Sequence, residues 1–177
     1  MRNKQCGMSF IEVLIALFII VSGILGAVAM QATAKKGSFD AMQRSLASGL
    51  AQDIIERMRG NDATTLASYA ANSPYGSGKM SNPPTCDSTV NLCTPAQMVN
   101  NDLFGWEQAL MGADSKSGET ATGGLVGAVG CISQANNRVT VVISWQGRQD
   151  VADAAKDVDC GTAGDNRRQV MVEAFIY

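Results

Sequence analysis

Glu12 stands at the edge of an otherwise uncharged apolar run, Val13 to Met30, directly behind a short polar leader, Met1 to Gly7. An ionised carboxylate at that depth is expensive unless a cation pairs with it, so its presence implies a dedicated partner. A cut after Gly7 would create one. Met8 would acquire an ammonium group four residues from Glu12, on the same face of a helix. A neighbouring subunit could supply the same charge.

Other residue types with chemical potential lead to blander readings. The chain contains no histidine, which excludes a histidine general base and most catalytic zinc sites. Asp150, Asp153, Asp157 and Asp159 cluster as in a calcium loop, but the glycine turn and closing glutamate of such a loop are missing, so a solvated acidic loop is expected. Ser115 to Gly124 is rich in Gly, Ser and Thr, yet it follows no strand and lacks the lysine of a phosphate loop. It reads as flexible connection. Trp106 and Trp145 fall on periodic apolar positions and are expected in the core rather than stacked on a ligand. No metal, cofactor or convergent nucleophile and base is expected.

Five cysteines occur, of which Cys6 leaves with the leader if the cut at Gly7 is made. The remaining four, Cys86, Cys93, Cys131 and Cys160, read as two disulfides in an exported domain. Neither the spacing of Cys86 and Cys93 nor any histidine suits a zinc site. Cys86–Cys93 with Cys131–Cys160 is the expected pairing, although four cysteines permit three connectivities. The longer bridge would stabilise by roughly 3 kcal/mol and the shorter by less, on the chain-entropy model.

These residues must be positioned by a small set of elements. Eighteen apolar residues in a helix span roughly 27 Å, close to the thickness of a bilayer's hydrocarbon core, so one transmembrane segment, about residues 11–30, is expected. Arg2 and Lys4 precede it, which predicts a cytoplasmic leader and an exported remainder, with Lys35 and Lys36 as a solvated collar beyond the span. Phe39, Met42, Leu46, Leu50, Ile54 and Met58 continue an amphipathic stripe, and the absence of proline from residues 1–73 allows a single rod. Gly60-Asn61 ends it. Gly23 and Gly26 suit close helix packing. The organisation expected is a removable leader at 1–7, a long helix over 8–60 and an α+β domain over 61–177.

Within that domain, Asn61 to Ala71 reads as a weak helix with Leu66 and Tyr69 inward, and Ser73 to Pro95 as a Pro/Gly-rich loop. Thr94-Pro95 is an N-cap signature opening a helix over 95–111, with Met98, Leu103, Trp106 and Leu110 on its apolar face. Arg138 to Gln146 alternates as a half-buried antiparallel strand. Val126 to Ser133 and Arg168 to Tyr177 supply its neighbours, with a turn at Asn136-Asn137 and a polar loop over Gly147 to Asn166. The fold class expected is therefore α+β, a long amino-terminal helix laid on a small antiparallel sheet. At 177 residues and 46% hydrophobic content, one membrane helix and one domain of ordinary size account for the chain. Without the leader, 12 of the 14 basic residues face 16 acidic ones, which leaves no footprint for nucleic acid.

An ordinary secretory signal would place its cut near Ala27-Val28-Ala29 or Ala32-Thr33-Ala34, but the apolar run is longer than such segments and Glu12 would then serve nothing. A permanent anchor would not require Gly7. The segment Gly7-Met8-Ser9-Phe10-Ile11-Glu12-Val13 instead resembles the signal of type IV pilins and pseudopilins, in which a prepilin peptidase cuts after the glycine and methylates the new amine. Met8 departs from the commoner phenylalanine but remains apolar and uncharged. Ile11 to Leu17, Gly23-Ile24-Leu25-Gly26, and Arg44 to Ala47 with Asp53 to Arg59 further resemble the PilV-type minor pilins, known as type IV pilus modification proteins.

The resemblance covers about the first sixty residues. It implies a type IV pilin-like, non-enzymatic subunit that is cut between Gly7 and Met8 and waits in the bacterial inner membrane as a single-pass protein, its carboxy-terminal domain in the periplasm. It would then join a priming or tip complex of the pilus. The partners implied are other minor pilins, the major pilin, the prepilin peptidase and the inner-membrane assembly platform. A minor pseudopilin of a type II secretion system would share these features. An adhesin would instead bind through the 73–95 or the acidic loop.

Overall fold

A computed structural model describes residues 7, 9–83, 86, 90, 92–113, 116–118, 120–121, 123–150, 157 and 159–177. Its first element is one helix, α1, Phe10–Arg59, whose length is permitted by the lack of proline. The chain divides into two compact units, Met1–Phe39 and Asp40–Tyr177, and α1 contributes to both.

In the first unit every residue from Phe10 to Lys36 is exposed, including Phe18, Ile19, Leu25 and Met30. The span is long and apolar enough to cross a membrane. Its hydroxyls are satisfied locally, since Ser22 Oγ donates to the Phe18 carbonyl at 2.8 Å and Thr33 Oγ1 to that of Ala29 at 3.3 Å. A Cβ placed on Gly23 or Gly26 would meet nothing within 4 Å, so both glycines offer a flat, open surface.

In the second unit α1 buries Gln43, Ala47, Leu50, Ala51, Ile54, Ile55 and Met58. This corrects the expected stripe, because Met42 and Leu46 are exposed and the inward face is rotated onto Gln43 and Ala47. Ala47 and Ala51 have no bulk to hold the helix away from its neighbours. The rotation therefore trades side-chain area for closer backbone approach. The indole of Trp106 uses that closeness, donating to the Leu50 carbonyl at 2.8 Å.

After α1 come a single 3₁₀ turn, Ala63–Thr65, and α2, Leu66–Ala70, with Leu66 and Tyr69 buried as expected. Asp62 caps the turn by accepting from the Thr64 amide at 2.9 Å and hydroxyl at 2.7 Å, which holds its carboxyl below the ordinary value. The next helix, α3, Pro95–Met111, occupies the residues expected. Thr94 and Gln97 form a reciprocal capping box, and Gly112, at φ 71°, closes the helix. Val99 rather than Met98 is buried at its start, with Leu103, Trp106 and Leu110 as expected.

The hairpin β1, Lys116–Ser117, and β2, Thr120–Ala121, lies in the stretch expected to be flexible connection. Its short backbone pairing has no apolar alternation that would have announced it. The main sheet is antiparallel in the order β3 (Val129–Ala135), β4 (Arg138–Gln146), β5 (Arg167–Phe175). β4 has the bounds expected, β3 starts three residues later than expected, and Tyr177 lies beyond β5 and is fully exposed. Asn136, at φ 54°, makes the turn between β3 and β4.

Val139, Val141, Ile143 and Trp145 share one hydrophobic cluster with the buried residues of α1, α2 and α3. The fold is thus a long amino-terminal helix packed on a three-stranded antiparallel sheet. Gly130 lets β3 pass under α3, since a Cβ there would lie 2.4 Å from the Trp106 ring.

Candidate functional site

The amino-terminal segment is positioned by the first turn of α1. Ser9 closes it, its carbonyl accepting from the amides of Glu12 at 3.0 Å and Val13 at 3.3 Å. Glu12 is therefore carried at the start of the helix, where the unpaired amides favour a negative charge. Its side chain is exposed and makes no ion pair among the described residues. Gly7 is exposed and outside the helix. Met8 lies outside the described residues, as do the leader positions 1–6 that contain Arg2, Lys4 and Cys6.

In the second unit, the end of α1 is tied to α2 and α3 by polar contacts that the apolar pattern does not reveal. Tyr69 donates to Asp102 Oδ2 at 2.6 Å, and Arg57 Nη1 lies 3.7 Å from Asp102 Oδ1 while its Nε pairs with Asp53 at 2.9 Å. Asn61 Nδ2 donates to the Tyr69 hydroxyl at 3.2 Å and to the Pro95 carbonyl at 3.1 Å. Burial, followed by the hydrogen bond to Asp102, pushes the Tyr69 phenol well above its ordinary value. Tyr75, which donates to the Tyr69 carbonyl at 2.6 Å, is pushed up to about 12, mainly by burial and further by the charge of Glu107.

Glu107 is the buried, amide-bound carboxylate that sequence reasoning missed. It is 1% exposed, and its Oε1 accepts from the amides of Gly76, Ser77 and Gly78 at 3.0, 3.1 and 3.1 Å. Its Oε2 accepts from Met80 at 3.2 Å. Gly76 and Gly78, at φ 109° and 67°, turn successive amides toward one point, making a nest for the carboxylate. The available signal was its phase, since Glu107 shares the inward face of α3 with Leu103, Trp106 and Leu110. Beside it opens a cleft of about 760 Å³, lined by Asn72, Lys79, Asn82 and Asn100 among others. With both oxygens occupied by amides, Glu107 is a loop anchor and not a free acid in that cleft.

Four cysteines are joined as Cys86–Cys93 and Cys131–Cys160, with Cα–Cα distances of 5.4 and 5.9 Å. The second bridge ties the segment at 157–161 to the sheet. Cys160 is fully buried, and a Cβ on Gly161 would lie 2.3 Å from Ser144 Oγ. Asp157 and Asp159 sit in this loop, where the Asp159 amide donates to Asp157 at 2.9 Å, while Asp153 lies outside the described residues. Among the described residues no group of His, Cys, Asp and Glu could hold a metal ion. Trp106 and Trp145 are both fully buried in the core. Lys35 and Lys36 are exposed.

Two family models match consecutive stretches of the chain. Residues 2–28 match the prokaryotic N-terminal methylation motif, and residues 29–104 match the family described as type IV pilin Tt1218. No curated protein and no solved structure matches. The motif and the exposed apolar helix are together consistent with an inner-membrane prepilin destined for a pilus. The chain is therefore similar to type IV pilins over residues 29–104, and residues 2–28 carry the methylation motif found at the amino terminus of their precursors.

Proposed function

We propose that the protein is a minor pilin of the PilV type, cut between Gly7 and Met8, methylated on the new amine of Met8, and incorporated into a complex that primes pilus assembly. Pilus subunits and a prepilin peptidase are the partners that the similarity to type IV pilins implies in general. Other minor pilins, the major pilin and the inner-membrane assembly platform are the specific partners of this reading. The leader is residues 1–7, the long helix 8–60 and the exported domain 61–177. The precursor crosses the inner membrane once, and its domain faces the periplasm before moving to the cell surface.

The observation that carries the reading is Glu12 at the first turn of α1, whose stretch from Phe10 to Lys36 is exposed throughout, inside the stretch that matches the methylation motif. On leaving lipid for a bundle of similar helices, an unpaired carboxylate would cost several kcal/mol, so docking selects an amino-terminal ammonium as its partner. Top-down mass spectrometry of the chain from its native membrane tests the processing step. A chain beginning at methylated Met8 supports it, and one that keeps residues 1–7 in cells with active prepilin peptidase refutes it. Glu12→Gln then tests docking. Incorporation into sheared pili should fall at least tenfold with the exported domain still folded, and wild-type incorporation would sink the charge-pairing step.

A further inference from the structure

The two margins of the main sheet are finished differently. β3 is covered: Tyr75 exchanges both backbone hydrogen bonds with Gly130, at 2.7 and 2.9 Å, and the Ile132 amide donates to Ser73 Oγ at 3.1 Å. Among the described residues, β5 has no such cover over its second half. Its pairing to β4 is bounded by the bonds Gly147 N–H to Asn166 and Ile176 N–H to Asn137, at 2.8 and 2.9 Å. Antiparallel ladders alternate, so the amides of Val170, Val172 and Ala174 turn inward to β4, and those of Met171, Glu173 and Phe175 turn outward. Gln169, one step earlier, is already fastened to the backbone of Asp157 and Cys160 at 2.7 and 2.8 Å. Among the described residues, nothing accepts from or donates to the outward backbone at 171, 173 and 175. All three side chains are exposed.

We propose that the edge of β5 from Met171 to Phe175 is a docking strand for an extended segment of a different pilus subunit, one with a basic residue opposite Glu173 and apolar residues beside it. The occupant must be extended, because only a strand meets alternate outward N–H and C=O groups. On the helix side it would extend the half-buried row Val170, Val172 and Ala174, which calls for apolar partners. On the other side it would meet Met171 and Phe175 flanking Glu173, whose carboxylate makes no ion pair among the described residues and so selects a cation. A second copy of this chain is disfavoured. Its β3 margin is already covered, and the antiparallel β5–β5 register that pairs all three outward residues sets Glu173 against Glu173.

This inference rests on the chain being a fibre subunit, so the test starts with wild-type protein in sheared pili from native cells. Its absence there would defeat the subunit reading and the docking strand together. With the wild type present, Glu173→Pro isolates the strand. Proline at 173 removes only an outward amide, so the ladder to β4 and both disulfides should survive, whereas Val172→Pro, which deletes an inward bond, should unfold the domain. Glu173→Pro should lower incorporation at least tenfold with unchanged circular dichroism, and Glu173→Lys should lower it several-fold. Folded Glu173→Pro protein incorporated at the wild-type level would overturn the proposal. Wild-type incorporation of Glu173→Lys would overturn the basic partner. Should Glu173→Pro fail to fold, amide exchange of the wild type decides. The amides of 171, 173 and 175 should exchange at least tenfold more slowly in pili than in detergent, and equal rates would overturn the docking strand. Cross-linking of Glu173→Cys chains to one another in the fibre would overturn the choice of a different subunit.

Discussion

Replacing Glu107 with glutamine changes one oxygen to an NH₂ group and removes a charge, while leaving the volume of the buried side chain almost unaltered. Four amides converge on the wild-type carboxylate, at 3.0 to 3.2 Å. Hydrogen bonds to a charged acceptor contribute about 1.5–3 kcal/mol each, against about 1 kcal/mol for neutral pairs. A glutamine oxygen in the Oε1 position can keep the bonds from Gly76, Ser77 and Gly78 at neutral strength. Its NH₂ then points a donor at the Met80 amide, which loses its partner. One lost bond and three weakened ones would sum to about 3–9 kcal/mol if additive. The loop borders an open cleft, where water can reach Met80, so we expect a net loss of about 2–4 kcal/mol. Urea unfolding of the full chain in detergent, followed by fluorescence of Trp106 and Trp145, measures it. Amide exchange should localise the loss to residues 76–80. A change below about 0.5 kcal/mol would refute the claim that this carboxylate anchors the loop.

Two further outcomes follow from the same unit. Tyr69 and Tyr75 hold their protons above the ordinary phenol value of 10.0, Tyr75 up to about 12, so the unfolded chain ionises first as pH rises. Their stabilising contribution is complete below pH 10 and is lost as pH rises above it, that of Tyr75 by about 12 and that of Tyr69 higher still; urea midpoints that stay flat from pH 9 to 11.5 would contradict it. The Cys131–Cys160 bridge joins residues 29 apart and Cys86–Cys93 residues 7 apart, so replacing the first pair by serine should cost about 3–4 kcal/mol and the second about 2–3. Denaturant unfolding of the two double variants checks the order, and a larger loss from the Cys86/Cys93 variant would reverse the reasoning.

What could be read from the residues, and what could not, divides along physical lines. α3 and β4 were legible to the residue because each carries a local signal: the Thr94-Pro95 cap for one, and the alternation Val139, Val141, Ile143, Trp145 for the other. The apolar run was equally plain, since an uncharged segment of lipid length is conspicuous in any context. The inward face of α1 was misjudged because hydrophobicity alone ranks Met42 and Leu46 above Gln43 and Ala47. The structure prefers small residues where α1 approaches its neighbours, and it uses Gln43 as a polar clasp that donates to the Gly124 carbonyl and accepts from the Val126 amide, both at 3.3 Å.

Glu107 was invisible for a related reason. Its partners are backbone amides, which every sequence has and none displays, and they converge only because Gly76 and Gly78 adopt positive φ. The edge of β5 that no described residue covers is concealed in the same way, since which amides face outward depends on the hydrogen-bond phase with β4 and not on side-chain type. Side-chain pattern therefore announces the long apolar span and the core. The loop anchor and the open strand are written in backbone geometry, and they emerge only once the chain is folded.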